Sequence, residues 1–353
     1  MRVMHMDSGL GNQMLDYAEY LAARIINPDG EMYIDTVLYD LPDDRPGMFS
    51  KWNGYELESV FGIKAPLLCD KLGKEAWDRI VSRVEESRFW ESGWNYAPII
   101  TDAINAEGYQ LVNMQKNSLA NIQKEQEGKK KIGRRMIRAF FQTGTGYYVK
   151  QILKRQMEER IVSAESAKYE VFRKYPEDIF SGHSLQLRYK NTGIERIDSY
   201  IRKEFTFPQI TDQENAVAIQ KIRSCNAVSI HARRGDMLSV NAYCYKYGYF
   251  KRAVQYIKHH VENPVFFFFC DQDSRGWCEQ NEDVFGLNFQ TDHIEFVTWN
   301  AGKTSFRDMQ LMAECRHNIF TESSFGFWGA YLNSHPDKIT CAPDPTINAT
   351  NWF

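Results

Sequence analysis

The sequence has 353 residues, which is enough for two domains of ordinary size. Hydrophobic residues make up 43% of it and charged residues 25%, a composition typical of globular proteins and not of disordered or fibrous ones. The formal net charge of -3 argues against nucleic acid as the main partner, because nucleic-acid binding usually needs a strongly basic face.

The first residues predict a strand, a glycine turn and a helix. Residues 2–6 form a short extended segment and residues 8–11 supply the turn. Asn12 is then the predicted N-cap of a helix that ends at Ile26. A second strand is predicted at residues 32–35. The chain therefore opens with a βαβ unit.

The stretch from Lys129 to Arg160 is unusually basic. It holds ten Lys or Arg residues and only two acids, with large apolar side chains between them. A helix that lies on an anionic bilayer surface needs this combination. A solvated charged helix or a connector has the same composition, so both interpretations stay open.

From about residue 206, strands alternate with helices. The predicted strands are residues 226–230, 265–270, 294–297, 317–321 and 338–341, and the predicted helices are 249–261, 274–282, 306–315 and 325–333. The strand at 265–270 is apolar on both faces, as in a covered parallel sheet. The alternation predicts a doubly wound α/β fold with a parallel sheet.

Polar residues follow three of these strands. Because ligands bind at the carboxyl ends of strands in open α/β sheets, the candidate loops are residues 231–236, 270–273 and 321–326. The first loop carries Arg233 and Arg234, whose planar guanidinium groups suit phosphate oxygens. The last loop places two serines where a helix begins, and helix N-termini favour anions. The sequence thus predicts a diphosphate site.

Two segments of the sequence resemble cofactor-binding motifs. The turn at residues 8–14 begins like a dinucleotide fingerprint, but Met14 stands where the third glycine belongs, which makes NAD unlikely. Asp271 and Asp273 resemble a metal-binding acidic pair of sugar transferases, although two carboxylates alone do not specify a metal. If the arginines neutralise the diphosphate, no metal is required, and we expect neither a metal nor another cofactor.

Four motifs together resemble glycosyltransferase family 11, the alpha-1,2-fucosyltransferases. They are Gly9 to Met14 with Tyr17-Ala18, His231 to Asp236, Phe266 to Cys278 with Trp277, and a final signature of Asp308, Leu311-Met312, Cys315, His317 to Ile319, Ser323 to Phe325 and Trp328 to Ala330. The resemblance is dense in the first 25 residues and from Cys225 onward. It is thin between about Asp40 and Phe180.

The resemblance implies a GT-B architecture, with two Rossmann-like domains that face a cleft. Residues 1–205 would form the acceptor-side domain, with the basic insert at about 129–160, and residues 206–353 would bind GDP-fucose. It also implies an inverting, metal-independent transfer of L-fucose from GDP-fucose to the 2-hydroxyl of a galactose in a glycan such as an O-antigen or capsule precursor.

The resemblance also implies roles for particular residues. Asp308 would accept hydrogen bonds from guanine, and Arg233 would hold the β-phosphate. The remaining donor-binding residues would be Asn12, Gln13, His231, Arg234, Ser323, Ser324 and Phe325. For catalysis, Arg233 would stabilise the departing GDP. Asp7 is a candidate base for the acceptor hydroxyl, although turn formation before residues 8–9 is the favoured explanation of this residue.

The chain departs from the family pattern at Leu15-Asp16 and at Gly326-Phe327, and both changes affect the expectation for the acceptor more than for the donor. A related enzyme with another linkage or another GDP-sugar stays open, as does a non-catalytic protein that binds nucleotide or glycan. We regard Trp277 and Trp328 as packing residues.

The sequence also suggests where the protein works. The seven cysteines lack metal-site or redox spacing, which favours reduced thiols in a cytoplasm. The first seven residues are unlike a signal peptide, and no apolar run is long enough for a membrane span. We therefore expect a bacterial cytoplasmic protein with possible peripheral contact to the inner membrane.

Overall fold

A computed structural model describes residues 1–42, 53–91, 95–114, 132–166, 176–182, 185–235 and 238–353. The chain forms two compact units. The first comprises Met1–Thr143, Tyr169–Leu187 and Thr192–Phe205, and the second comprises Gly144–Lys168, Arg188–Asn191 and Thr206–Phe353. Residues 144–168 are thus part of the second unit, and the domain boundaries suggested by the sequence stay a prediction.

The helices and strands are numbered in chain order. The strands are β1 (Arg2–His5), β2 (Met32–Asp35), β3 (Val112–Asn113), β4 (Ile179–Gly182), β5 (Asn226–His231), β6 (Pro264–Phe269), β7 (His293–Val297), β8 (His317–Phe320), β9 (Thr340–Ala342) and β10 (Asn351–Trp352). The helices are α1 (Leu10–Ile26), α2 (Leu57–Phe61), α3 (Leu68–Leu72), α4 (Lys74–Glu86), α5 (Tyr96–Asn105), α6 (Ile132–Phe141), α7 (Gly144–Gln156), α8 (Glu158–Ser166), α9 (Asp198–Glu204), α10 (Gln213–Arg223), α11 (Leu238–Lys246), α12 (Tyr249–His260), α13 (Arg275–Gln280), α14 (Glu282–Phe285), α15 (Phe306–Glu314) and α16 (Ser324–Leu332).

The sheet of the first unit is parallel and has the strand order β2-β1-β4-β3. β1 is buried along its whole length, as a strand covered on both faces must be. Helices α4 and α5 contribute apolar side chains to the core on one side, including Ile80 and Ile100, which are fully buried.

The sheet of the second unit is also parallel and has the order β10-β9-β8-β5-β6-β7. The chain runs outward from β5 to β7 and then returns to the other side of β5 with β8. The strand order therefore reverses between β5 and β8, and ligands bind beside such a reversal in open α/β sheets. The predicted fold class, α/β with two parallel-sheet domains, is confirmed.

The apolar strand β6 anchors this second core. Its residues Phe266–Phe269 are at most 1% exposed, and burial of each phenylalanine contributes roughly 1.5–3 kcal/mol. The hydroxyl of Tyr249 on α12 lies 2.6 Å from the carbonyl of Phe320 and 2.7 Å from that of Cys341. This buried hydroxyl ties α12 to the carboxyl end of β8, so the loop that follows β8 starts from a fixed point.

The strands and helices predicted after residue 225 are confirmed within one or two residues. The sequence did not show α10, α11, α14 or β10 of the second unit, and left residues 40–127 without assigned elements. The predicted N-cap Asn12 is wrong: α1 begins at Leu10 with Gly9 as its cap. Among the described residues, no helix is both long enough and apolar enough to cross a membrane.

Candidate nucleotide-diphosphate site

Three polar loops of the second unit leave the sheet side by side. His231 at the end of β5 is paired in register with Phe269 of β6 and with Phe320 of β8. The amide of Ala232 donates to the carbonyl of Phe269 at 2.9 Å, which keeps the first loop against the second. The structure therefore brings together the predicted loops at residues 231–235, 270–273 and 321–326, while Asp236 lies outside the described residues.

Arg233 projects from the first loop and pairs with Asp271 of the second. Its Nη1 atom lies 3.0 Å from Asp271 Oδ1, and the two side chains are 37% and 31% exposed. Half-exposed charges of this kind remain accessible to a ligand. The other oxygen, Asp271 Oδ2, is buried and makes no hydrogen bond to the described residues. The sequence suggests Asp271 as a metal ligand. In the structure its carboxylate holds the guanidinium of Arg233.

Arg234 is held by aromatic rings. Its guanidinium carbon lies 3.4 Å from the ring centroid of Trp277 and 5.1 Å from that of Tyr245. Stacking over aromatic faces fixes the plane of an arginine without neutralising its charge. Trp277 thus has a packing role, as expected. It packs against Arg234, a predicted phosphate-binding residue. Trp328 is fully buried, also as a packing residue.

The third loop leads into the N-terminus of α16. Ser323 is the N-cap residue, is 8% exposed, and its side chain makes no capping hydrogen bond. Ser324 and Phe325 form the first turn and are partly exposed. A helix start whose cap side chain is unused offers backbone N–H groups to an anion. Ser323, Ser324 and Phe325 thus lie where an anion could bind, and their contact with the donor phosphates stays a prediction.

His231 is buried beneath this helix start and is electrically neutral. Burial, together with the nearby charge of Arg233, lowers the pKa of its imidazole to about 3. Its Nδ1 atom is buried with no hydrogen-bond partner among the described residues. A Cβ atom at residue 326 would lie 2.4 Å from this nitrogen, so the departure from the family pattern at Gly326 makes room for the imidazole ring.

Asp308 in the first turn of α15 is held by an asparagine network. Asn300 Nδ2 donates to Asp308 Oδ1 at 2.7 Å, and Asn300 is itself paired with the buried Asn215 through hydrogen bonds of 2.8 and 3.0 Å. Burial raises the pKa of Asp308, the hydrogen bond from Asn300 lowers it and the charge of Asp271 raises it, which together place it at about 7. A carboxyl group fixed in this way can accept two neighbouring N–H donors once it is ionised.

Together these residues can bind a nucleoside diphosphate. Two guanidinium groups and a helix N-terminus supply positive potential for the phosphates, and the carboxylate of Asp308 supplies an acceptor for a base that carries adjacent N–H groups. Within the described ranges, no group of three or more His, Cys, Asp or Glu side chains could hold a metal ion.

The residues predicted in the first unit occupy other kinds of position. Gln13 is fully buried, its amide donates to the carbonyls of Ser8 and Gly54 at 3.0 and 2.9 Å, and it accepts from the amide of Glu56 at 2.8 Å. These hydrogen bonds hold the glycine turn in place, and the contact of Gln13 with the donor stays a prediction. Asn12 is partly exposed in the first turn of α1.

Asp7 follows β1 and is buried. Its side chain is 3% exposed, and the hydroxyl of Tyr96 donates to its Oδ2 atom at 2.5 Å. A base for a sugar hydroxyl must reach that hydroxyl directly or through one water. The bond to Tyr96 favours the structural explanation of Asp7, and its role as a base stays a prediction.

Two residues that hold site side chains in place, Asn300 and Tyr245, were not predicted from the sequence. Neither residue stands in a motif, and each acts on the site through another side chain, Asn300 through Asp308 and Tyr245 through Arg234. The strand-end rule could have drawn attention to Asn300, because it lies three residues beyond β7.

The chain is thus a parallel α/β protein with a candidate nucleotide-diphosphate site at one sheet edge. The model of the family described as "Glycosyl transferase family 11" matches residues 147–351, which is more than half of the chain. The chain belongs to glycosyl transferase family 11.

Two kinds of curated relative match part of the chain. It is 34% identical over 139 residues to an alpha-1,2-colitosyltransferase of Escherichia coli, covering 37% of this chain and 43% of that protein. It is 28% identical over 155 residues to human galactoside alpha-(1,2)-fucosyltransferase 1, covering 40% of each. The matches thus span less than half the length of these relatives.

Solved structures resemble the whole chain more distantly. The fucosyltransferase NodZ from Bradyrhizobium is 12% identical, with a TM-score of 0.42 and coverage of 93% of this chain and 91% of that one. A NodZ alpha-1,6-fucosyltransferase co-crystallised with GDP is 13% identical with a TM-score of 0.42, covering 98% and 96%.

Proposed function

We propose that the protein is an inverting, metal-independent alpha-1,2-fucosyltransferase that transfers L-fucose from GDP-fucose to the 2-hydroxyl of a galactose in a glycan. The observation that carries the proposal is the convergence of Arg233, the N-terminus of α16 and Asp308 on one edge of the second sheet. The family membership and the alpha-1,2 linkage in the names of its relatives support the same reaction.

The arginines suit the chemistry of the leaving group. As the bond from fucose to GDP breaks, negative charge grows on the β-phosphate while the sugar becomes cation-like. Cations that are already fixed in position stabilise such charge most effectively, since nothing has to reorganise during the reaction. Arg234 is fixed by its aromatic neighbours and Arg233 by Asp271. No metal is needed if these two charges oppose the diphosphate.

A specific observation favours a second candidate, transfer of colitose. The relative with 34% identity is named for that sugar. Asp308 and the arginine loop would select the GDP part of the donor and leave the sugar open. The decisive assay measures release of GDP from GDP-fucose, GDP-colitose and GDP-mannose, with and without a panel of galactosides. Tight GDP binding without turnover of any donor would instead favour a non-catalytic nucleotide- or glycan-binding protein.

We further propose a bacterial cytoplasmic location, where GDP-sugars are made. All seven cysteines are free thiols, which suits a reducing compartment. The expected acceptor class is then an O-antigen or capsule precursor, either free or attached to a lipid carrier. The same galactoside panel, extended to lipid-linked oligosaccharides, tests this expectation.

Binding of GDP should weaken below neutral pH. The pKa of Asp308 is raised to about 7, so the free protein holds the carboxyl protonated at lower pH, whereas guanine requires the ionised form. Each pH unit below 7 should raise the Kd of GDP by up to about tenfold until the pKa of the complex is reached. The same shift makes this group most favourable to folding at acid pH, with that contribution lost as pH rises from 3.8 towards 7.

Calorimetric titration of GDP between pH 5.5 and 8 in steps of about half a unit measures this dependence. The Asp308→Asn variant is the matched control, because it removes the titrating group, and its Kd should not change across the range. A pH-independent Kd in the unmodified protein would show that the carboxyl group does not bind the base.

EDTA should leave the rate of fucosyl transfer unchanged. Asp271 already pairs with Arg233, and the arginines oppose the phosphate charge. A divalent cation is therefore not needed to neutralise the phosphates. Initial rates with EDTA, and with added magnesium or manganese, provide the measurement. A large loss that added metal restores would return Asp271 and Asp273 to the role of metal ligands.

A further inference from the structure

Large hydrophobic side chains are exposed at high density along two consecutive helices, α6 and α7. Fifteen such side chains are exposed among the described residues, and eight of them lie between Met136 and Met157. Apolar exposure is therefore concentrated in one short segment. Soluble proteins rarely expose contiguous apolar surface unless it contacts a partner or a membrane.

Each helix exposes an apolar face of its own. On α6, in the first unit, Met136, Ile137 and Phe140 are 70%, 57% and 46% exposed. On α7, in the second unit, the exposed side chains are Tyr148, Val149, Ile152 and Leu153, at 54%, 36%, 57% and 43%. Their spacing of one and four residues places each set on one side of its helix.

Several side chains of α7 hold the helix to the second unit. Lys154 forms an ion pair with Asp344, and the guanidinium carbon of Arg155 lies 4.5 Å from the ring centroid of Trp352. Tyr147 stacks on Tyr247 with ring centroids 4.5 Å apart. An ordinary surface helix buries its apolar side and exposes its charges. On α7 the exposed surface instead carries the four apolar side chains together with the basic residues Lys150 and Arg155.

The charge of the segment identifies the partner. Residues 132–157 contain six Lys or Arg residues and no acid, although the whole chain has a net charge of -3. A second copy of this chain would bring the same positive charge to the interface and repel the first. An anionic lipid surface complements both features, since it accepts apolar side chains between its head groups and attracts basic residues.

We infer that α6 and α7 dock the protein on a membrane surface rich in anionic phospholipid. The apolar side chains enter the interfacial region. The six Lys and Arg residues of the segment, with no acid among them, supply the attraction to anionic head groups. The inference does not depend on which sugar is transferred or on whether the protein is an enzyme.

Flotation with vesicles tests the inference on the full-length chain. The protein should float with vesicles of phosphatidylcholine mixed with phosphatidylglycerol and remain behind with phosphatidylcholine alone. The variant Ile137→Gln/Ile152→Gln should lower the bound fraction by about tenfold or more, because two large apolar side chains no longer enter the lipid. Val217→Gln is the matched control: Val217 on α10 is also 57% exposed, and its substitution should leave binding unchanged.

A second variant separates charge from apolar insertion. Arg134→Gln/Arg135→Gln/Arg138→Gln should abolish the preference for phosphatidylglycerol and the sensitivity of binding to salt. Circular dichroism and GDP affinity confirm that each variant is folded. The inference is overturned if the unmodified protein fails to float with anionic vesicles, or if the isoleucine variant floats as well as the Val217 control. It is also overturned if sedimentation shows a dimer that the isoleucine substitutions dissociate, since a second copy would then cover these helices.

Discussion

Replacement of Arg233 by alanine should reduce the rate of fucosyl transfer by roughly 10²–10³-fold while the protein stays folded. The side chain is partly exposed and its ion-pair partner is Asp271, so its removal leaves no cavity in the core. What is lost is a fixed positive charge opposite the β-phosphate as GDP departs. Single-turnover rates with GDP-fucose and an accepted galactoside measure the effect, and thermal unfolding verifies the fold.

Two further substitutions make the test specific. Arg223→Ala removes an arginine of the same unit that is paired on the surface with Glu314, and it should have almost no effect on the rate. Arg233→Lys keeps the charge but loses the planar fork, so it should restore only part of the activity. If Arg233→Ala turns over at nearly the normal rate, the proposed stabilisation of the leaving group is wrong.

The second large effect is expected for Asp308→Asn. An ionised carboxylate accepts from both N1–H and the 2-amino group of guanine, whereas an asparagine amide offers one oxygen and turns a donor towards a donor. Loss of one charge-assisted hydrogen bond costs about 1.5–3 kcal/mol, so the Kd of GDP should rise by roughly 10–10²-fold at pH 8. Calorimetry with GDP provides the measurement.

Inosine diphosphate sharpens this experiment, because its base lacks the 2-amino group. The unmodified protein should bind it more weakly than GDP, and Asp308→Asn should bind the two nucleotides almost equally. The difference between the two ratios isolates the contact of Asp308 with the 2-amino group. An unchanged preference for GDP in the variant would mean that another residue recognises guanine.

The sequence allowed accurate prediction wherever the pattern of apolar residues was local. The apolar run at Phe266–Phe269 belongs to a strand buried on both faces, and the structure confirms it as β6. The three strand-end loops followed from the same pattern together with the rule for open sheets. These loops carry Arg233, Ser323 and their neighbours, so much of the site could be located from the sequence.

The support of those residues could not be read from the sequence, because it depends on pairs that are distant along the chain. The partner of Arg233 is 38 residues away, and Asn215 reaches Asn300 across 85 residues. Gln13 is a case in which a motif does not reveal the local contacts. Its place in the motif suggests contact with the donor, whereas its amide forms hydrogen bonds with backbone groups of Ser8, Gly54 and Glu56.

The assignment of α7 to the second unit has a similar cause. Its basic composition indicated an insert in the first domain, but the ion pair of Lys154 with Asp344 and the packing of Tyr147 on Tyr247 fix it to the second. Composition reports what a helix contains, whereas its neighbours decide which of its sides is buried.

The pair formed by Arg233 and Asp271 bears on how the protein distinguishes its donor from free phosphate in a cell. The guanidinium charge of Arg233 is balanced by a carboxylate 3.0 Å away. An anion that binds only to Arg233 shares the guanidinium with this carboxylate, so the net attraction that it gains is small. A nucleotide whose base is held at Asp308 would bring its phosphates to Arg233 at a high effective concentration. We therefore expect the ion pair to favour phosphates linked to guanosine over inorganic phosphate.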